Sequence, residues 1–88
     1  MEHDPVLPVL GLNSSAPSVL FSELSDAIHA LDDAIRAIEN LTVNRRDYTD
    51  KVRWNAKLDE MNWRLASLRN VRANMYAEME YLDEKAHP

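Results

Sequence analysis

The chain has 88 residues, which allows one small domain. A hydrophobic fraction of 45% and a charged fraction of 28% are those of a folded chain and exclude wholesale disorder. The formal net charge of -5 argues against a dedicated nucleic-acid or membrane-surface binder, and the lack of cysteine excludes disulfides and thiolate metal sites.

No apolar run approaches the roughly 20 residues that span a bilayer. The opening Met1-Glu2-His3-Asp4 is acidic where a secretory leader is basic. A cytoplasmic location, or one within a viral particle, is the expectation.

Residues 1–16 read as an extended arm. Pro5 and Pro8 oppose a helix, while Gly11 and Asn13-Ser14-Ser15 supply turn chemistry. Between them Val6, Leu7, Val9, Leu10 and Leu12 make the segment too apolar for a solvated linker. Such an arm is expected to lie in an apolar groove, its own or a partner's.

From Ser18 to His87 there is neither Gly nor Pro, and β-branched residues are scattered, so the body of the chain, residues 17–88, is predicted to be all-α. A first helix is expected over about 17–41, with Ser15 as its N-cap and Pro17 in its first turn. Phe21, Leu24, Ile28, Leu31, Ile35 and Ile38 recur at steps of three and four and form a seam. Leu20, Ala27, Ala34 and Leu41 widen it to the three-column face of a bundle helix. Asp32 and Asp33 fall with Asp26, His29, Arg36 and Glu39 on the opposite, solvated face.

Residues 42–47 form the connection. A second helix is expected over about 48–86, opened by a capping-box-like Asp47-Tyr48-Thr49-Asp50. Its strong seam is Trp54, Leu58, Met61, Leu65, Leu68, Arg72, Met75, Met79 and Leu82. That seam is two positions out of phase with the first, about 200° around a helix. One unbroken rod would therefore carry its apolar faces on opposite sides, whereas a fold-back brings both onto one core. The predicted architecture is an antiparallel two-helix hairpin with an extended N-terminal arm, completed into a four-helix bundle by association. The single rod is the alternative. A tight turn would lay the first helix over residues 48 to about 71 and leave Met75, Met79 and Leu82 overhanging, within reach of the arm or of a second copy.

Charge follows the same order. Residues 17–41 carry one basic and five acidic side chains, residues 42–72 eight basic and four acidic, and residues 73–88 one basic and four acidic. An acidic first helix beside a basic stretch suits the antiparallel hairpin, each exposed pair adding a few tenths of a kcal/mol.

Catalytic chemistry has no support in this pattern. His3, His29 and His87 are dispersed, one glycine cannot build a phosphate loop, and two helices alone offer no pocket walls. No enzyme activity, cofactor, metal or small-molecule substrate is expected. Arg53, Lys57 and Arg64 share one flank near Trp54 and Trp63, the arrangement a nucleic-acid or nucleic-acid-regulating protein would use. This is the second reading, set against the acidic total.

Association has more behind it. Ala56, Trp63, Ala66, Ala73 and Ala77 form a weaker stripe on the back of the long helix, with small residues for close approach and a large apolar anchor. Arg72 breaks the seam, as a register-fixing polar residue does. Two helices and an arm also bury little apolar surface against the entropy of ordering the chain. The residues expected to meet a partner are Val6, Leu7 and Leu10 in the arm, Trp54, Arg72, Met75, Met79 and Leu82 in the seam, and Trp63, Ala66, Ala73 and Ala77 on the back. The partner is a further copy of the chain or a larger protein. The function expected is that of a structural subunit, adaptor or small chaperone, in a phage or other multiprotein particle.

Overall fold

A computed structural model describes residues 4–10 and 16–86. The chain folds back on itself: α1 spans Pro17–Glu39, a single 3-10 turn spans Arg45–Asp47, and α2 spans Lys51–Ala86 antiparallel to α1. The result is a rod of 61 × 22 × 19 Å. The continuous-helix alternative is excluded.

Local chemistry sets the helix ends. Ala16, in extended conformation, holds the N-cap position, and its carbonyl accepts from the amides of Val19 and Leu20 at 3.0 and 3.2 Å. Pro17 follows at the first helical position, where its missing N–H costs nothing. Among the described residues no side chain caps this end, and the expected cap, Ser15, lies outside them, as do residues 11–14, the site of the expected turn chemistry. At the other end the Leu41 amide tightens onto the Ile38 carbonyl at 3.2 Å.

The second helix begins three residues later than expected. Asp50, not Asp47, is its cap: Asp50 Oδ1 accepts from the Arg53 amide at 2.7 Å, and the Asp50 carbonyl accepts from the Trp54 amide at 3.1 Å. Asp47 is consumed by the 3-10 turn, its amide donating to the Asn44 carbonyl at 3.0 Å. Tyr48 is extended between them, with its ring 5.8 Å from that of Trp54.

The register also differs from the expectation. Arg72 reaches Asp32 at 2.7 Å, Ile38 lies by Leu65, and Leu24 shares a groove with Glu78. α1 therefore covers the C-terminal part of α2, about two heptads further along than a tight turn would place it. The cause is the connection. Leu41, Thr42, Val43 and Tyr48 run beside Lys57, Met61 and Leu65, so the linking residues take up the first turns of α2. Met75, Met79 and Leu82 do not overhang: Leu82 is 0% exposed and both methionines are half-buried. The beginning of α2 is the end that α1 does not reach, and Val52 on its far side is 79% exposed.

The core follows the seams. Phe21, Leu24, Leu31 and Ile38 are half-buried around Ile28 and Ile35, which are buried, and α2 contributes Met61, Leu65, Leu68, Met75, Met79 and Leu82. The arm docks on its own chain. Tyr81 donates its hydroxyl to the Pro8 carbonyl at 3.2 Å, and Pro5, Pro8 and Leu10 are half-buried while Val6 and Leu7 face outward. No helix among the described residues is long and apolar enough to cross a membrane.

Candidate interaction surface

α2 carries apolar side chains on two sides. One side packs on α1; the other looks into solvent. Trp63, at its centre, is 68% exposed, and Ala56, Ala66, Ala73 and Ala77 are exposed with it. Helical spacing puts them together: they lie 7, 10, 17 and 21 residues beyond Ala56, offsets that stay within a sector of about 100° around the helix. The back stripe anticipated from sequence is thus an uncovered face of the folded chain.

The seam candidates behave differently. Arg72 pairs within the chain, its Nη1 2.7 Å from Asp32 Oδ1, with both side chains 31% exposed. Asp32 consequently does not sit on the solvated face assigned to it. A half-buried guanidinium draws it toward the groove between the helices, while its neighbour Asp33 stays out and pairs with Arg36 at 2.7 Å. Leu82 is sealed inside the hairpin, and Trp54 is half-buried beneath Tyr48 and Arg45, whose guanidinium stands 5.6 Å above its ring.

The three candidate nucleic-acid cations have carboxylate neighbours on α2 or at its cap. Arg53 lies 3.8 Å from Asp50, while Lys57 and Arg64 both clasp Glu60, at 2.9 and 2.6 Å. The hydrogen bond from Lys57 holds the Glu60 carboxyl below its ordinary range, with the charge of Arg64 adding to the effect, and the same bond raises Lys57. Among the described residues the ion pairs between the first helix and the basic stretch are Asp32–Arg72 and a longer Glu39–Arg69 pair at 3.4 Å.

The shifted register sorts the remaining charge along the rod. The connection end, residues 41–64, holds six basic side chains against four acidic. The arm end, built from residues 16–27 and 76–86, holds Glu23, Asp26, Glu78, Glu80, Asp83 and Glu84 against Lys85 alone. Glu23 and Glu78 even border one groove. Sequence blocks could not show this polarity, because it depends on which part of α2 lies beside α1.

The structure also corrects the expectation that two helices offer no pocket walls. The connection provides a third wall, and an open groove of about 370 Å³ lies between Ile38, Leu41, Val43, Tyr48, Met61 and Leu65, with Lys57 and Arg64 at its rim. Among the described residues no group of three or more His, Asp or Glu side chains could hold a metal ion. No known protein family matches the chain, and neither do the curated proteins or the solved structures.

Proposed function

We propose that this chain is an assembly module that works by helix–helix packing rather than by catalysis, as a structural subunit, adaptor or small chaperone of a larger complex. The observation that carries the reading is surplus surface. The chain exposes 6884 Å², whereas a compact monomer of 10.1 kDa exposes about 5300 Å². The rod shape is the reason: its radius of gyration is 18.2 Å, against about 12 Å for a compact 88-residue chain. Among the described residues Ile28, Ile35 and Leu82 are the buried apolar ones, a small core with which to offset chain entropy. A further helical layer supplies what the hairpin lacks.

Light scattering on the purified chain, with circular dichroism at the same concentrations, tests this. The expected result is a mass that is a multiple of 10.1 kDa, with helix content falling as the assembly is diluted apart. A monomer that stays fully helical at nanomolar concentration would remove the reading.

A further inference from the structure

We infer that the uncovered face of α2 is the seat of a second copy of this chain, bound antiparallel in a two-fold symmetric pair centred between Trp63 and Ala66. The inference rests on the assembly reading above and names its partner, orientation and register.

Three independent features lead there. The first is the order of residues along the face. Its positions are 52, 56, 59, 63, 66, 70, 73 and 77, separated by alternating steps of four and three, and this spacing reads the same in both directions. In antiparallel helix pairs each layer joins an a position of one helix to a d position of the other. Applied to this face, Trp63 of one copy lies over Ala66 of the second, and by symmetry Ala66 under the other Trp63. The next layers join Asp59 to Asn70, then Ala56 to Ala73, then Val52 to Ala77. The large indole meets a methyl group, the carboxylate meets an amide that can donate to it, and no two bulky groups collide. A parallel pair would stack Trp63 on Trp63 and set Asp59 against Asp59.

Charge is the second feature. The basic connection end and the acidic arm end lie at opposite poles of one rod. Antiparallel pairing sets Lys51 of one copy level with Glu78 of the other. Parallel pairing would align six carboxylates with six. At these surface distances the effect selects orientation more than it adds affinity.

Area is the third. A stable pair buries about 800 Å² on each partner. Each copy exposes about 1600 Å² more than a compact chain of its mass, and the contact runs about 38 Å along α2. The bare stripe follows that length of α2, with Trp63, 68% exposed, at its centre and Val52, 79% exposed, at its edge.

The chain has no cysteine, so single introduced thiols report the geometry cleanly. Ala56→Cys, Ala66→Cys and Ala73→Cys variants, each treated with a short bis-maleimide, are compared with an equimolar mixture of the first and third. Ala66→Cys, near the two-fold axis, should give covalent dimer. Ala56→Cys and Ala73→Cys alone should give at least tenfold less, and their mixture should restore it. Trp63→Ala, with helix content unchanged in the isolated chain, should weaken self-association at least tenfold. Efficient linking by Ala56→Cys alone, or an associated chain whose mixture does not link, would overturn this pairing and leave the assembly reading standing. A fully helical monomer would remove both.

Discussion

Arg72 interrupts the α2 seam with a charge, and the structure gives it a partner on the facing helix. Neither group is deeply buried, so the pair is worth far less than a sealed ion pair, yet each still needs the other for its hydrogen bond. Arg72→Ala or Asp32→Ala should each destabilise the chain by about 1–2 kcal/mol, with a coupling of about 1 kcal/mol in the double-mutant cycle, measured by urea unfolding at one chain concentration. Additive effects would mean that the pair contributes nothing. That Arg72 would need a partner was legible from its place in an apolar repeat. Which carboxylate would serve was not, because Asp32 belongs to the outer face on a helical wheel and reaches inward only through its side chain.

Among the elements, α1 and α2 announced themselves by unbroken period and by the absence of Gly and Pro; their ends were harder. Two aspartates, Asp47 and Asp50, stand three residues apart before α2, and each could cap a helix. The 3-10 turn decides between them by engaging the first, a tertiary choice with no local signature. Asp50→Ala should therefore cost about 1 kcal/mol, whereas Asp47→Ala should stay within about 0.5 kcal/mol of the parent, both read from denaturant midpoints. Equal costs would contradict the assignment of the cap. The arm shows the same division. Its aliphatics point to an apolar groove, yet Val6, Leu7 and Val9 are exposed while Pro5, Pro8 and Leu10 are half-buried, and a bond that ties it down comes from Tyr81, a residue that no spacing rule singled out.

At the scale of the whole molecule, a hairpin follows from the phase difference between the two seams, since only a fold-back lets them share a core. Register does not follow. A seam that repeats every seven residues is equally satisfied after a slip of whole heptads, and the choice falls to features that do not repeat: the Arg72–Asp32 pair and the length of chain spent in the connection. From that choice come the covered Leu82, the first turns of α2 packed by the connection instead of α1, and the charged poles. Surplus surface could be anticipated from chain length alone, but the location of the bare face on α2 needed the fold.

Arm and α2 terminus come together at one pole of the rod, with Pro8 tied to Tyr81 and α1 opening beside the last turns of α2. A load hung between these two ends does not stretch the rod; it opens it as a zipper opens, one seam layer after another, and the Arg72–Asp32 clasp feels no tension until the outer layers have parted. Pulled in an optical trap from Ala16→Cys and Lys85→Cys handles, the hairpin should yield gradually at low force instead of snapping in one rupture. A complex that uses this chain as a strut would have to grip it along its flank.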